Sequence, residues 1–289
     1  MSTATIDAKA SGTFSIGGDL TVNRLGFGAM RITGEGIWGE PRNPEEARRV
    51  LRRVIDLGVN FIDTADSYGP EVSERILGET LYPYPKDVVI ATKGGLTRQG
   101  PNQWAPVGRP EYLRQQVEMS LRRLKLDRID LYQLHRIDSK VPVAETLGAL
   151  KDLQSAGKIR HIGLSEVSPA EIEQANKTVR IVSVQNRYNI SDREHERTLQ
   201  YCEQHQLGFI PWFPVAAGKL AQAGGPLDNS AKRYGASVAQ LSLAWLLHHS
   251  PVMLPIPGTS SVAHLEENVA AAGLKLSDKE WSAIENGAR

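Results

Sequence analysis

Short apolar runs alternate with longer stretches of helical periodicity along most of the chain. Eight apolar runs predict strands at residues 25–28, 59–63, 88–93, 129–135, 159–165, 181–185, 208–212 and 252–256. Seven intervening segments predict helices at residues 44–57, 73–81, 110–124, 143–156, 169–177, 194–205 and 237–247. A parallel sheet whose strands alternate with helices closes into a packed barrel at about eight strands. The sequence therefore predicts an α/β fold, a (β/α)8 TIM barrel.

Two further segments accompany the predicted barrel. Residues 14–22 predict a short N-terminal β-hairpin around a Gly-Gly dipeptide, which tolerates the positive φ of a tight turn. Residues 216–235 are rich in Gly, Ala and Pro and predict a long loop after the seventh strand, of the kind that covers a ligand. Gly26 and Gly28 lack the third glycine of a dinucleotide-binding fingerprint, which favours a closed barrel over an open doubly wound sheet.

Composition narrows the class of function. A chain of 289 residues that is 40% hydrophobic can bury one sizeable core, so we expect a single barrel domain over residues 1–289. The net charge of +1, with charges scattered along the chain, argues against nucleic acid as a partner. Cys202 is the single cysteine, which excludes an internal disulfide and a Cys-rich metal framework. No signal-peptide core or membrane-length run is present, so we expect a cytoplasmic protein with no metal and no membrane partner, and of undetermined oligomeric state.

Polar side chains follow three consecutive predicted strands. Asp63 ends the second strand, Lys93 the third and His135 the fourth, while Tyr68 follows Asp63 closely in the chain. These positions lie at the carboxyl ends of the strands, which is the catalytic face of a TIM barrel. Taken singly, each residue also has a structural interpretation, such as a histidine satisfied in the core or an aspartate that caps a turn.

Together these side chains are suited to proton transfer. A tyrosine with a pKa of about 10 is a poor proton donor near neutral pH unless a nearby cation lowers that pKa. Lys93 would supply the cation, and Asp63 would hold Lys93 in an ion pair. His135 would donate a hydrogen bond to the oxygen on which negative charge develops. We therefore expect Tyr68 to act as the general acid.

Ordered motifs over almost the whole chain resemble the aldo-keto reductase family. They are LGFGAM at 25–30, FIDTADSYG at 61–69, ATK at 91–93, LYQLH at 131–135, GKIRHIGLS at 157–165, VQ at 184–185 and PIPG at 255–258. The resemblance implies a barrel enzyme that reduces aldehydes or ketones to alcohols by hydride transfer from NADPH. It also implies that Asp63, Tyr68, Lys93 and His135 form a catalytic tetrad.

The resemblance further implies a cofactor site. Ser165 and Gln185 would bind the nicotinamide carboxamide, and Trp212, at the usual Tyr position, would stack on the ring. The remaining cofactor-binding candidates are Met30, Arg31, Asp63, Glu166, Phe213, Pro214, Gly218, Ile256, Gly258, Thr259, Ser260, His264, Glu267 and Asn268. The substrate-pocket candidates are Met30, Trp38 and Trp104.

The sequence departs from the common family pattern at two places. Glu166 stands where Asn is common, and an ionised carboxylate accepts hydrogen bonds from a carboxamide but donates none. The stretch 256–268 lacks the Lys or Arg that many members carry there. Its hydroxyl-bearing residues, among them Thr259 and Ser260, precede a predicted short helix over 264–268 whose N-terminus can hold a phosphate. We therefore expect NADPH to be preferred, NADH to be accepted, and the preference to grow at lower pH as His264 gains a proton.

Alternatives of a different class stay open. A cofactor-binding, redox-sensing subunit resembling the potassium-channel β-subunits would keep the same tetrad without relying on turnover. Other barrel enzymes, such as isomerases, would have no need of a Trp212 that stacks on nicotinamide.

If the protein is a reductase, the expected partner is a small-molecule carbonyl substrate. The aromatic residues Trp38, Trp104, Trp212 and Phe213 favour planar carbonyls over charged sugars.

Overall fold

The computed structural model describes residues 6–215 and 223–288. In chain order its strands are β1 (Thr13–Ile16), β2 (Leu20–Asn23), β3 (Phe27–Gly28), β4 (Phe61–Asp63), β5 (Val89–Gly94), β6 (Leu96–Gly100), β7 (Gln103–Pro106), β8 (Ile129–Leu134), β9 (Ile159–Ser165), β10 (Ile181–Gln185) and β11 (Gly208–Phe209). Its α-helices are α1 (Pro44–Asp56), α2 (Val72–Leu81), α3 (Pro110–Leu124), α4 (Val143–Ser155), α5 (Pro169–Asn176), α6 (Glu196–His205), α7 (Pro226–Arg233), α8 (Val238–His249), α9 (Val262–Ala270) and α10 (Asp278–Ala288).

Seven strands form one parallel sheet in the order β3, β4, β5, β8, β9, β10, β11. The eighth predicted strand, 252–256, lies between the two ends of this sheet. The N–H of Leu254 donates to the carbonyl of Phe209 at 2.7 Å, and the N–H of Gly26 donates to the carbonyl of Pro255 at 2.9 Å. These bonds join β11 to the start of β3 and close the sheet, which confirms the predicted (β/α)8 barrel.

The N-terminal hairpin of β1 and β2 closes one end of the barrel. Ile16, Leu20 and Val22 are buried in a cluster with side chains of the barrel interior, including Phe61 and Leu131. Asp19, in the turn of the hairpin, also contacts Arg160 and His161 in the amino-terminal part of β9. The opposite end, where the strands terminate at their carboxyl ends, is therefore the end that can admit a ligand.

Capping residues set several helix starts. The side chain of Asn43 accepts a hydrogen bond from an N–H in the first turn of α1. Ser168 and Ser237 each form a capping box, at the starts of α5 and α8 respectively. Such caps satisfy N–H groups that have no partner within the helix, which is why these polar residues stand there.

The structure corrects one expectation about a loop and adds one element. Part of the predicted loop 216–235 is the helix α7; residues 216–222 lie outside the described range. The carboxylate of Asp228 in its first turn bonds to the N–H of Gly224 and to Lys232, and these contacts stabilise the helix. The hairpin of β6 and β7, which the sequence did not predict, extends from the end of β5.

Within the described ranges, no helix combines the length and the apolar character needed to cross a lipid bilayer.

Candidate active site

The four tetrad candidates meet at the carboxyl ends of neighbouring strands. Asp63 is the last residue of β4, Lys93 lies near the end of β5, and His135 directly follows β8. Tyr68 lies in the connection between β4 and α2. All four are buried, with relative exposures of 0% for Lys93 and 7% for Tyr68, the least and the most exposed of the set. The barrel therefore brings together residues that are up to 72 positions apart, from Asp63 to His135.

Lys93 is the centre of the hydrogen-bond network. Its Nζ donates to Asp63 Oδ1 at 2.5 Å, to the carbonyl of Thr64 at 2.8 Å and to the hydroxyl oxygen of Tyr68 at 3.1 Å. An ammonium has three N–H groups, so each of them has a partner. Because the Tyr68 oxygen accepts from Lys93, the phenolic proton of Tyr68 is left to donate elsewhere.

Asp63 is satisfied on both carboxylate oxygens. Its Oδ2 accepts from Gln133 Nε2 at 3.0 Å and from Gln185 Nε2 at 2.9 Å, while Oδ1 pairs with Lys93. A buried carboxylate is costly unless it is paired and hydrogen-bonded, and this one is both. The predicted ion pair between Asp63 and Lys93 is present.

The pKa of Tyr68 is shifted in the direction opposite to the one expected from the sequence. Burial raises the pKa of Tyr68 above its ordinary value, and the positive charge of Lys93 offsets only part of that effect. Burial by itself would lower the pKa of Lys93, but Asp63 and Tyr68 raise it. Lys93 lowers the pKa of Tyr68 as expected, but the net shift is upward, because the expectation did not include the burial of the phenol.

His135 is neutral in this environment. Burial lowers the pKa of His135 well below its ordinary value, and the positive charges of Lys93 and Arg136 add to the effect. Its Nδ1 lies 3.3 Å from the hydroxyl oxygen of Ser67, and its ring meets the Tyr68 ring edge-on at 5.9 Å. With Ser67 as the donor to Nδ1, the imidazole carries its proton on Nε2 and can donate it.

A cavity of about 860 Å³ opens over this network, within the size range of small-molecule sites. It is lined by most of the predicted cofactor and pocket residues: Met30, Arg31, Asp63, Trp104, Ser165, Gln185, Trp212, Phe213, Pro214, Ile256, Gly258, Thr259, His264, Glu267 and Asn268. Glu166, Ser260 and Trp38 are not part of its wall. Gly218 lies outside the described residues.

Ser165 and Gln185 present a matched donor and acceptor to the cavity. The hydroxyl oxygen of Ser165 accepts from Arg136 Nη1 at 3.0 Å, so its proton is free to donate. Gln185 donates its amide N–H to Asp63, which leaves its carbonyl oxygen as an acceptor. A primary carboxamide offers one acceptor oxygen and an NH₂ donor, so this pair fits the nicotinamide amide.

Glu166 contacts Trp212 rather than the cavity. Its Oε1 accepts from the indole Nε1 of Trp212 at 2.6 Å and from the N–H of Arg187 at 2.7 Å. Its backbone has a φ of 57°, in the left-handed region. The structure therefore does not support Glu166 as an acceptor for the carboxamide, because its carboxylate is turned to the indole.

The β6–β7 hairpin contributes residues that the sequence reasoning missed. Leu96 and Pro106 line the cavity next to Trp104. The guanidinium of Arg98 lies 3.6 Å from the Trp104 ring centre and donates to the carbonyls of Ile37 and Ser67. This arrangement holds Trp104 in edge-on contact with Tyr68 at 6.4 Å. The turn at 100–102, Gly-Pro-Asn, was the signal that could have indicated the hairpin.

Trp38 lies outside the pocket that it was predicted to line. It packs near the guanidinium of Arg98 at 5.6 Å, and 37% of its surface is exposed. Arg98 belongs to the β6–β7 hairpin and also contacts Trp104. Trp38 therefore packs against the hairpin and does not line the cavity.

The predicted phosphate loop has a carboxylate near it. The helix α9 begins at Val262, and the N–H of Ser261 donates to Thr259 Oγ1 at 3.1 Å. The N–H of Val262 lies 3.3 Å from Glu46 Oε1 and donates to it. Ser260 is exposed to solvent. The helix N-terminus therefore offers hydroxyls and N–H groups, one of which is already bonded to an acidic side chain.

Comparison with known proteins assigns the chain to a family. The model of the Aldo/keto reductase family matches residues 24–288. An uncharacterized oxidoreductase of Schizosaccharomyces pombe is 53% identical over 97% of this chain and 91% of its own length. Pyridoxine 4-dehydrogenase of Escherichia coli is 41% identical over 97% of this chain and 99% of its own length.

A solved structure agrees in fold. An aldo-keto reductase from Klebsiella pneumoniae in complex with NADPH superposes with a TM-score of 0.78 at 27% identity, covering 95% of this chain and 94% of that one. The barrel, the ordered motifs and these matches agree with one another. This chain belongs to the aldo/keto reductase family of oxidoreductases.

Proposed function

We propose that this protein reduces aldehydes or ketones to alcohols, with NADPH as the hydride donor and Tyr68 as the general acid. The observation that carries the proposal is the 3.1 Å hydrogen bond from Lys93 Nζ to the Tyr68 oxygen, within a buried network that borders a ligand-sized cavity. It places an ammonium at the atom that becomes negative when Tyr68 gives up its proton.

The cavity wall fits a nicotinamide dinucleotide. When bound, this cofactor supplies the hydride for the reduction. Ser165 and Gln185 would hold the carboxamide, and Trp212 would cover one face of the ring. Residues around Gly258 and Thr259 would hold the phosphate end of the cofactor. The NADPH complex of the Klebsiella pneumoniae relative supports this choice of cofactor.

The tetrad residues would then divide the proton chemistry. Tyr68 gives its proton to the substrate oxygen, and the resulting phenolate is stabilised by the ammonium of Lys93. The neutral His135 donates a hydrogen bond to the same substrate oxygen as charge develops on it. Tyr68 is protonated at neutral pH, and burial, which raises its pKa, makes the proton harder to release. The charge and hydrogen bond of Lys93 lower that pKa and so favour release of the proton.

The walls of the cavity suit a flat substrate. Trp104, Trp212 and Phe213 line it, and aromatic rings pack well against planar groups. The similarity to a pyridoxine 4-dehydrogenase is in keeping with a ring-bearing alcohol or carbonyl. We therefore propose aromatic or other planar carbonyl compounds as the substrates.

A turnover assay tests the proposed function. Oxidation of NADPH by the wild-type protein is followed by absorbance with a panel of aromatic and aliphatic aldehydes and ketones, and formation of the alcohol is verified by chromatography. We expect turnover with aromatic aldehydes. Tight NADPH binding without turnover of any carbonyl would contradict the proposal and would favour the redox-sensing subunit.

A further inference from the structure

Arg136 is a cation at the cavity wall that the proposed reduction does not use. It directly follows His135 and lines the cavity. Its Nη1 donates to the carbonyl of His135 at 2.6 Å and to the hydroxyl oxygen of Ser165 at 3.0 Å. Across the described ranges 6–215 and 223–288, its Nε and Nη2 have no hydrogen-bond acceptor and no carboxylate forms an ion pair with it.

An unpaired guanidinium in a half-buried position is costly. The carboxylate with the strongest electrostatic effect on Arg136 is Glu166, and that carboxylate is already bonded to Trp212 and Arg187. A guanidinium has N–H groups in a planar fork that matches two oxygens of one anionic group. The free edge of Arg136 is therefore a site for a negatively charged oxygen.

We propose that Arg136 binds an acidic group of the substrate, so that the preferred substrates are aromatic carbonyl compounds carrying a carboxylate close to the carbonyl. The inference rests on the proposed reductase function. Proximity follows from the chain, because Arg136 is adjacent to His135, which borders the same cavity. The aromatic part follows from Trp104 and Phe213, which line the same cavity.

Binding can be measured apart from turnover. Trp104 and Trp212 line the cavity, so their fluorescence reports an occupant. The probes are benzoate and the uncharged benzamide, titrated in the presence of oxidised cofactor. We expect the Kd of benzoate to be at least about tenfold lower than that of benzamide, because a charge-assisted hydrogen bond contributes about that much to binding. Arg136→Gln should remove this difference. Equal binding of the two probes to the wild-type protein would overturn the proposal.

Turnover supplies the second readout. The substrates are meta-carboxybenzaldehyde and para-carboxybenzaldehyde, each with its methyl ester. Arg136→Gln should lower kcat/KM for the two acids by about tenfold or more and for the two methylated compounds by less than about threefold. Arg136→Lys should restore part of the loss. The matched control is Arg128→Gln, an exposed arginine just before β8 at the other end of the barrel, which should leave all four values unchanged.

The outcomes separate the two proposals. Equal losses for acids and methylated compounds, or a higher KM for NADPH alone, would show that Arg136 only positions Ser165 and would overturn the inference. Reduction of none of the four aldehydes by the wild-type protein would overturn the proposed function, whereas the benzoate titration would still test the anion site. If Arg136→Gln does not fold, the wild-type ratio of acid to methylated substrate decides, and a ratio near one would refute the inference.

Discussion

The carboxylate of Glu166 holds the indole of Trp212 through a hydrogen bond of 2.6 Å from Nε1. The carboxylate at 166 accepts the one hydrogen bond that the indole N–H can donate, and this contact fixes the ring of Trp212 in place. Trp212 lines the cavity, so Glu166 acts on the site through the orientation of that ring.

We predict that Glu166→Ala weakens cofactor binding more than it slows the reaction. Loss of the hydrogen bonds from Trp212 and from the N–H of Arg187 should raise KM for NADPH by about two- to tenfold while kcat changes less, since the indole loses its fixed orientation. Glu166→Gln keeps an acceptor oxygen and should recover most of the affinity. The control is Glu173→Ala, which removes an exposed carboxylate from α5. An unchanged KM in Glu166→Ala would show that Trp212 does not depend on Glu166.

Lys93→Met should reduce both activity and stability. The substitution leaves the buried Asp63 without its cation, although Gln133 and Gln185 still donate to it. We expect the free energy of unfolding to fall by about 3–5 kcal/mol, measured by urea denaturation. The double variant Asp63→Asn/Lys93→Met should regain part of the stability and none of the activity. A single variant as stable as the wild type would contradict the importance of this ion pair.

The depressed pKa of His135 predicts a stability that falls in acid. The folded protein keeps this imidazole neutral at pH values where the unfolded chain takes up a proton. The unfolded state therefore binds more protons below a pH of about 6.5, and stability falls there by up to about 1.4 kcal/mol per pH unit. His135→Gln should lack this contribution, so its free energy of unfolding should vary less between mildly acid and neutral pH. Identical pH profiles for the two proteins would contradict a neutral, buried His135.

The phosphate loop predicts a modest preference for NADPH. Ser260 is exposed beside Thr259, and no arginine or lysine stands in the stretch 256–268. Ser260→Arg should therefore raise the ratio of kcat/KM for NADPH to that for NADH by about tenfold or more, as a charge-assisted bond to the 2′-phosphate provides. Ser260→Gln is the uncharged control. A ratio that does not rise in Ser260→Arg would show that the 2′-phosphate is bound elsewhere.

The barrel could be predicted because its strands are buried on both faces and stand out as apolar runs. Asp63, Lys93 and His135 could be placed at one end of it because each follows such a run. The strands of the β6–β7 hairpin gave no comparable signal, since Arg98 and its neighbours are mostly polar, and only the turn at 100–102 could have indicated it. What orders this hairpin is the contact of Arg98 with the distant carbonyls of Ile37 and Ser67.

Two features of the site could not be predicted without the three-dimensional structure. The direction of the Glu166 side chain is set by Trp212, which lies 46 residues further along the chain. The sign of the Tyr68 pKa shift is set by the balance between burial and the Lys93 charge, and a sequence shows the charge without the extent of burial.

Kinetics and cofactor binding of Tyr68→Phe test the role of the phenolic proton. The substitution removes the hydroxyl and little volume, so the Kd for NADPH, measured by fluorescence titration, should stay within about twofold of the wild type. The rate of carbonyl reduction in single-turnover experiments should fall by about 10²–10⁴-fold, the contribution that general acid catalysis makes. A variant that binds NADPH normally and reduces carbonyl substrates at a rate near that of the wild type would contradict Tyr68 as the acid.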